Sequence, residues 1–303
     1  MVLRFKDHKQ GIYGLYFMPK LIEDFKIKFW GTRGSIPVPG AGTVKYGGNT
    51  SCVEVRCGKE LIILDAGTGI KNLGSELLKE TPIKASIFFS HVHWDHIQGM
   101  PFFLPIYIQG NEFKFYGSKT WDIKLENALK WQMQNPIFPV NFDTVNSVGA
   151  TVQYIDIDEG KIIQIGDKDP VTIQSIGLCH TDKVFGFKIE YKGKSVIYAT
   201  DTENLPEPNK KLMELAYNAD LIIHDAQYTN DEYYGLNGSS KKNWGHSTAE
   251  VAALIALKAK VKMLVLFHHD PYHDDSIIEQ IQQKASTIFP NTIAASESVV
   301  IEL

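Results

Sequence analysis

The sequence of 303 residues is 44% hydrophobic and 22% charged, as expected for a globular protein with one large domain or two modest ones. A formal net charge of −4 argues against a protein that coats duplex DNA, because such a protein needs a broad basic face, but it leaves a small anionic substrate open. The three cysteines form no CxxC pair and no apolar run reaches the length of a membrane span, so we expect reduced thiols, a cytoplasmic location and no membrane partner.

Short β-rich runs recur along the chain and predict a series of strands. Several of these runs are wholly apolar, which is typical of strands that are covered on both faces of a sheet. The predicted strands lie at residues 25–30, 52–56, 61–64, 85–90, 113–116, 152–157, 172–176, 185–191, 195–199, 221–223 and 263–267.

Apolar residues at helical spacing predict helices at residues 69–79, 121–133 and 247–260. The last of these begins with Ser247-Thr248-Ala249-Glu250, a sequence typical of a capping box. Strands punctuated by helices in both halves of the chain predict an α/β fold in which two mixed sheets pack together with helices outside, an αββα sandwich.

The sequence predicts a single domain at residues 27–303, preceded by an N-terminal extension of unknown role at residues 1–26. Residues 100–146 are rich in aromatic residues and prolines and directly follow the densest histidine cluster. We interpret this segment as an inserted cap beside a functional site, with a surface excursion that only packs as the alternative. Its candidates for stacking on a nucleobase are Trp121, Trp131 and Phe138.

Most of the histidines stand at or near the ends of predicted strands, and the densest cluster is Ser90-His91-Val92-His93-Trp94-Asp95-His96. Alternation along an extended segment places His91 and His93 on one side, and Asp95 and His96 follow at a turn. Burying three imidazoles and a carboxylate without partners is costly, so the cluster predicts a metal site. This donor set suits zinc, manganese or iron.

Three further residues end predicted strands or lie in loops between them. His180 lies in a loop between apolar strands, Asp201 follows the run 196–200, and His268 follows the run 264–267. Alone, a histidine of this kind is more often structural and an aspartate is often a helix N-cap. Together with the histidine cluster, they predict one shared site at the strand ends.

The segment from His91 to His96 resembles the HxHxDH signature of the metallo-β-lactamase superfamily, and the resemblance extends from about Lys28 to the C-terminus. Leu64-Asp65-Ala66-Gly67-Thr68-Gly69 is similar to the aspartate-glycine turn that precedes the signature in that family. The resemblance implies the αββα fold, a metal-dependent hydrolase and two divalent metal ions, with zinc expected and manganese or iron as alternatives.

The same resemblance assigns ligands to the two ions, with the first histidine of His268-His269 in the ligand position. The implied ligands are His91, His93 and His180 for one ion, Asp95, His96 and His268 for the other, and Asp201 as the bridge. Asp95 is also counted among the catalytic residues, and Asp65 is implied to support a ligand.

Further motifs resemble the phosphodiesterase branch of the superfamily, which includes ribonuclease Z and cyclic-nucleotide phosphodiesterases. Ile223-His224-Asp225-Ala226 is similar to the strand-end motif of that branch, and Gly245-His246-Ser247-Thr248-Ala249 is similar to its helix start. Asp225 stands where ribonuclease Z usually carries glutamate, so the shorter side chain leaves its distance to His246 open.

These motifs imply that a hydroxide held between the two metals attacks a phosphodiester while His246, oriented by Asp225, protonates the leaving oxygen. His224 is expected to support a ligand or His246. Arg33 and Asn49 are expected to contact phosphate from glycine-rich loops, with ordinary turn formation as the alternative.

The substrate expected first is a small nucleotide, with a 3′,5′-cyclic nucleotide as the best single candidate, because no long basic arm for docking tRNA is visible. The alternatives are an RNA-processing nuclease of the ribonuclease Z type, a thioester or lactam hydrolase, and a nucleotide-binding sensor without activity. The sequence predicts no duplex DNA partner and leaves a homodimer open.

Overall fold

The computed structural model describes residues 25–119, 123–297 and 299–303, without the side chains of residues 146, 207 and 208. Residues 1–24 of the predicted extension and Trp121 lie outside the described residues. The first strand already begins at Phe25, so the domain boundary predicted after residue 26 falls inside a strand. Within the described ranges, no helix is both long and apolar enough to cross a membrane.

The first sheet has seven strands, in the spatial order β14-β1-β2-β3-β4-β5-β6. Pairing is antiparallel from β14 to β3 and parallel from β3 to β6. The strands are β1 (Phe25–Gly31), β2 (Cys52–Cys57), β3 (Glu60–Leu64), β4 (Lys84–Phe88), β5 (Glu112–Gly117), β6 (Thr151–Asp156) and β14 (Val300–Glu302).

The second sheet also has seven strands, in the order β13-β12-β11-β10-β9-β8-β7. Pairing is antiparallel from β7 to β10 and parallel from β10 to β13. The strands are β7 (Ile162–Ile165), β8 (Val171–Cys179), β9 (Lys183–Tyr191), β10 (Lys194–Ala199), β11 (Leu221–Asp225), β12 (Met263–Phe267) and β13 (Thr292–Ala294).

Helices cover the outer faces of the two sheets. The α-helices are α1 (Ile70–Leu77), α2 (Trp94–Ile97), α3 (Leu125–Gln132), α4 (Phe142–Val148), α5 (Pro206–Leu215), α6 (Asn230–Tyr234), α7 (Ala249–Lys258) and α8 (Asp275–Ile288). Short 3₁₀ turns lie at Ala41–Thr43, Leu78–Glu80, Met100–Phe102 and Leu104–Tyr107.

Three apolar cores hold these layers together, which confirms the predicted αββα sandwich. The central core lies between the sheets, where Phe88 stacks on Tyr116 with ring centroids 4.3 Å apart and meets Phe187 edge-on at 5.3 Å. A second core lies under α1, α3 and α4, and a third lies under α5, α7 and α8. Burial of apolar surface in all three layers supplies the main driving force for folding.

The segment at residues 100–146, interpreted as an inserted cap, contributes in part to the body of the domain. β5 pairs with both β4 and β6, so it is an internal strand of the first sheet. Leu129 of α3 and Phe142 of α4 are buried in the second core. Whether the remaining exposed part closes over a substrate stays a prediction.

The predicted capping box at the start of α7 is corrected. The N-cap is Thr248, whose side chain accepts a hydrogen bond from the backbone N–H of Val251. Ser247 instead donates its backbone N–H to the Asp225 carboxylate at 3.2 Å, so the start of α7 is tied to the end of β11. Among the described helices, a reciprocal capping box forms at α6, between Thr229 and Glu232.

Close backbone contact fixes the turn after β3 against the end of α2. The N–H of Gly99 donates to the Ala66 carbonyl at 3.0 Å, and a Cβ added at Gly99 would lie 2.0 Å from the Gly67 carbonyl oxygen. No side chain fits there unless the backbone shifts. The glycine therefore permits the close approach on which this part of the fold depends.

We predict that Gly99→Ala destabilises the protein by about 1–3 kcal/mol, because the methyl group overpacks a rigid backbone contact, and lowers Tm by about 2–6 °C. Scanning calorimetry measures the shift. The control is Gly40→Ala, since an added Cβ at Gly40 meets nothing within 4 Å. Equal Tm values for Gly99→Ala and the control contradict the prediction.

Candidate metal centre

Strand ends from both sheets meet at one edge of the sandwich. β4 leads into the segment that begins at His91, β10 leads into Asp201, and β12 leads into His268. Residues that follow the carboxyl ends of parallel strands share one edge of a sheet, which is where open α/β sheets place their ligands. The predicted site residues are thereby gathered from distant parts of the sequence.

Three residues at this edge adopt a left-handed backbone. The φ angles are 60° at Asp65, 51° at Asp201 and 62° at His268. Residues other than glycine rarely adopt this conformation, and it persists only where surrounding contacts fix it. Three positions that the sequence singled out as candidate site residues therefore carry backbone strain.

Two groups of donor atoms lie side by side at the edge, and together they contain all seven predicted ligands. Within each group, the donor atoms lie within 4.8 Å of one another. The first group is His91, His93 and His180, and the second is Asp95, His96, Asp201 and His268.

The carboxylate of Asp201 lies between the two groups. Its Oδ2 is 3.7 Å from His91 Nε2 and 3.8 Å from His180 Nε2. Its Oδ1 is 3.3 Å from both His96 Nε2 and His268 Nε2. Each carboxylate oxygen therefore faces one group of imidazoles, which is the arrangement expected of a bridging ligand.

Asp65 fixes the orientation of His96 from below the site. Its carboxylate accepts hydrogen bonds from His96 Nδ1 at 2.8 Å, from the Tyr198 hydroxyl at 2.7 Å and from the backbone N–H of Ser90 at 2.7 Å. With the proton on Nδ1, His96 Nε2 is an unprotonated donor for a cation. Asp65 therefore contacts a proposed ligand, and its role in supporting that ligand stays a prediction; Tyr198 and Ser90 are partners of Asp65 that the sequence did not reveal.

The other imidazoles are oriented in the same way. His180 Nδ1 donates to the Gly245 carbonyl at 2.7 Å, and His268 Nδ1 donates to Gln227 Oε1 at 2.9 Å. Both bonds leave Nε2 unprotonated and facing the cluster. No sequence pattern pointed to Gln227, because its pairing with His268 depends on how β11 and β12 end.

His93 faces the cluster with Nδ1, whereas His96, His180 and His268 face it with Nε2. His93 Nε2 donates to Asp182 Oδ2 at 2.9 Å, while its Nδ1 lies 3.1 Å from His180 Nε2. Asp182 follows His180 by two positions, so the loop that contributes one imidazole also orients another. The acidic residue beside His180 was the available sequence signal for this contact.

The donor set fits a pair of divalent cations. His91 Nε2 is buried without a hydrogen-bond partner, although buried polar atoms are normally paired. Burial and the neighbouring His96 imidazole hold the pKa of His91 well below its usual range, so the ring is neutral and able to bind a metal. Imidazole and carboxylate donors in this number suit zinc and related transition metals.

His246 lies against both groups and is held by Asp225. His246 Nδ1 donates to Asp225 Oδ2 at 2.7 Å, which resolves the distance that the shorter aspartate left open. The His246 ring centroid is 4.9 Å from that of His180 and 5.0 Å from that of His268. Burial alone lowers the pKa of His246, but the Asp225 carboxylate outweighs it and raises the pKa to about 9.

A buried glutamate that the sequence did not flag positions the loop before His246. Glu203 accepts hydrogen bonds from the Gly245 backbone N–H at 2.7 Å and from the Tyr233 hydroxyl. Gly245 has φ 84°, and a Cβ there would lie 2.1 Å from His180 Nδ1. The Gly245 peptide therefore sets the position of both His180 and His246.

His224 does not take the predicted supporting position. The neutral ring is buried, and its Nδ1 donates to the backbone carbonyl of Asp225 at 2.7 Å. Within the described residues, His224 therefore makes no hydrogen bond to a predicted ligand or to the His246 ring. The prediction is corrected to indirect support, because adjacent residues on a strand point to opposite faces.

The predicted phosphate contacts of Arg33 and Asn49 are also corrected. Arg33 is fully buried, and its guanidinium donates to the carbonyl oxygens of Gly47, Asp270 and His273 at 2.5–3.1 Å. The Asn49 side chain donates to Glu297 at 3.0 Å. Both residues fasten loops: Arg33 Nε and Nη1 and the Asn49 side chain donate to protein acceptors.

Comparisons with known proteins agree with the family that the sequence motifs indicate. The family described as "Beta-lactamase superfamily domain" matches residues 61–269. Ribonuclease Z of Archaeoglobus fulgidus is 25% identical over 92% of this chain and 98% of that protein. Ribonuclease Z of Bacillus subtilis is 22% identical over 72% of this chain and 80% of that protein.

Solved structures share the fold. YhfI of Bacillus subtilis, a metallo-beta-lactamase fold protein, superimposes with a TM-score of 0.68 at 18% identity and covers 92% of this chain and 99% of that one. The short form of human tRNase Z superimposes with a TM-score of 0.63 at 23% identity and covers 91% of this chain and 98% of that one. Zn²⁺-bound PqqB of Methylobacterium extorquens superimposes with a TM-score of 0.67 at 15% identity and covers 92% of this chain and 100% of that one.

Two adjacent histidines provide a matched test of the ligand assignment. His268 faces the cluster, whereas His269 Nε2 donates to the Ala295 carbonyl at 3.0 Å. We predict that His268→Gln loses about one of about two bound ions per chain, while His269→Gln retains both. Elemental analysis after reconstitution with zinc measures the metal content. Equal metal content in the two variants would show that His268 is not a ligand.

Proposed function

The chain belongs to the metallo-β-lactamase superfamily of metal-dependent hydrolases, and from this premise we propose that it hydrolyses a phosphodiester with two metal ions and a histidine general acid. The observation that carries the proposal is His246, which is held by Asp225 at 2.7 Å and packs against imidazoles of both donor groups. Hydrolysis of a thioester or a lactam does not require such a pair.

The metal ions supply a nucleophile at neutral pH and neutralise the charge of the phosphate. The chain's own residues fix where this happens. His91, His93 and His180 would hold one ion and the second group would hold the other, with the Asp201 carboxylate placed between the two groups. We propose zinc as the metal, with manganese or iron as alternatives for the same donors.

His246 performs the remaining proton transfer. Phosphodiester cleavage places negative charge on the leaving oxygen, and a poor leaving group such as a ribose hydroxyl requires a proton. The Asp225 carboxylate keeps the His246 ring oriented and favours its protonated form. Asp225 is itself fixed by the backbone N–H groups of Gln227 and Ser247, at 3.0 and 3.2 Å.

The substrate that we propose first is a small nucleotide, with a 3′,5′-cyclic nucleotide as the leading candidate. The second candidate is RNA, as the substrate of an RNA-processing nuclease of the ribonuclease Z type, which is favoured by the curated relatives called ribonuclease Z that align over nearly the whole chain. The two differ in salt dependence, because RNA binding through several phosphates releases counterions. A steep loss of affinity for RNA between about 50 and 200 mM salt, with no hydrolysis of cyclic nucleotides, selects the second candidate.

The location proposed for the chain is the cytoplasm. The three cysteines, Cys52, Cys57 and Cys179, are free thiols, which is consistent with a reducing compartment. The non-enzymatic alternative is a nucleotide-binding sensor. Such a sensor would keep all seven donor residues but would not hydrolyse the nucleotide. Turnover of any phosphodiester by the zinc-loaded protein eliminates that alternative.

The general acid is tested by leaving-group dependence. p-Nitrophenolate leaves without a proton, whereas a ribose hydroxyl does not. We predict that His246→Ala lowers kcat for a cyclic nucleotide or a dinucleotide about 100- to 10,000-fold, and lowers kcat for bis(p-nitrophenyl) phosphate far less. Asp225→Asn follows the same pattern more mildly, because the imidazole remains.

Metal content is the control in this experiment, since the donor atoms of His246 also lie within 4.8 Å of those of His180 and Asp201. The prediction requires unchanged metal content in His246→Ala. Equal slowing of both substrates, or loss of an ion, would mean that His246 is a ligand or a structural residue and not the general acid.

A further inference from the structure

An apolar pocket opens beside the metal centre, on the side of His93. It has a volume of about 360 Å³. The residues of its wall that matter here are Val92, Trp94, Ile97, Trp131, Ile137 and Asp182. A pocket of this volume lies in the range of small-ligand sites.

The pocket shares its wall with the metal-binding loops. Val92 and Trp94 flank His93 in the sequence, and Asp182 accepts the hydrogen bond of His93 Nε2 at 2.9 Å. A group bound in this pocket is therefore separated from the metal centre by one imidazole. A nucleobase is joined to its phosphate by a single ribose, so a base site for this centre must lie this close.

The chemistry of the wall suits a flat aromatic ring. Trp94 is 70% exposed and Trp131 is 51% exposed, so at least half of each side chain is accessible to a ligand. Ile137, beside them in the pocket, is also 68% exposed. Large apolar side chains exposed together mark binding surfaces, and indoles stack on bases of any sequence.

The structure also changes which aromatic residues are candidates for stacking. Phe138, predicted for this role, packs edge-on against Phe102 with ring centroids 5.6 Å apart. Trp94 is a candidate that the sequence did not single out, because it stands inside the histidine signature. Trp94 occupies a variable position of the HxHxDH signature, so the metal ligands themselves do not require a tryptophan there.

We propose, on the basis of the function proposed above, that the pocket between Trp94 and Trp131 is the subsite for the nucleobase of the substrate. The phosphodiester then lies at the metal centre, with the base on the His93 side and the leaving oxygen toward His246. The pocket therefore determines specificity for a nucleoside phosphodiester over a simple alkyl one.

Two substrates with the same leaving group isolate this contribution: thymidine 5′-(p-nitrophenyl phosphate) and methyl p-nitrophenyl phosphate. Trp131→Ala is expected to raise KM for the thymidine diester about 5- to 150-fold, the size of one stacked base, and to leave KM for the methyl diester unchanged. Trp94→Ala acts in the same direction. Trp131→Phe, which keeps an aromatic face, recovers most of the loss.

The control variant is Tyr217→Ala. Tyr217 is 52% exposed, matching Trp131, and lies outside the pocket beside Lys260. It is expected to change neither KM value. A Trp131→Ala effect of equal size on both diesters overturns the proposal, because the pocket would then hold the shared p-nitrophenyl group or act only through folding.

A binding measurement keeps the proposal testable apart from turnover. The zinc-loaded wild type is expected to bind adenosine 5′-monophosphate more tightly than ribose 5-phosphate by calorimetry, and Trp131→Ala is expected to abolish the difference. Equal affinities in the wild type overturn the base subsite. If neither diester is hydrolysed but this difference is found, the proposed function fails and the base subsite stands.

The other occupant of an exposed apolar pocket is a second copy of the chain. Light scattering of the wild type and Trp131→Ala at matched concentrations distinguishes the two occupants. A dimer that dissociates in Trp131→Ala, with an unchanged ratio of the two KM values, overturns the proposal and assigns the surface to self-association. An unchanged mass with a changed KM ratio supports it.

Discussion

The Asp201 carboxylate, with imidazoles facing each of its oxygens, is the constraint on which the rest of the site depends. Five ligand imidazoles and two carboxylates are packed together at the edge where both sheets end, and Asp201 and His91 are almost fully buried. Such a cluster is costly to desolvate unless charge balances charge and each lone pair has a partner. Two divalent cations would satisfy both requirements, because unpaired nitrogens such as His91 Nε2 would become their ligands.

The surrounding hydrogen bonds follow from the same constraint. A ring nitrogen binds a cation only when it is unprotonated, so the proton must be held at the opposite nitrogen. Asp65, Gln227, Asp182 and the Gly245 carbonyl each accept such a bond. His246 follows the same rule, with the Asp225 carboxylate as its acceptor at 2.7 Å. Asp65 and Asp182 are carboxylates too, so the position of His246 distinguishes the proposed acid: its ring packs against His180 and His268, one imidazole from each donor group.

Residues close together in sequence were predictable, and contacts across the fold were not. The alternation of His91 and His93 and the strand-end positions of Asp201 and His268 carry local signals, and all four meet in the structure. The apolar strands of the two sheets carry an equally local signal. Gln227, Glu203 and Tyr198 carry no such signal, because each is defined by a partner between 41 and 133 positions away.

Local sequence signals were wrong at one kind of position and absent at another. Arg33 in a glycine-rich loop has the appearance of a phosphate contact, but the loop folds over it and supplies carbonyl acceptors. Short strands such as β13 and β14 have only three residues, too few to show alternation. By contrast, α8 was not among the predicted helices, although its buried residues Ile278, Ile281 and Ala285 stand at helical spacing in the sequence.

The central claim is that Asp201 spans two metal ions, one for each donor group. Anomalous diffraction from crystals of the zinc-loaded chain, measured on both sides of the zinc absorption edge, tests it most directly. The account predicts two peaks about 3.5–4 Å apart, each within about 2.3 Å of one Asp201 oxygen. A single peak, or a pair in which Asp201 touches only one ion, would contradict it.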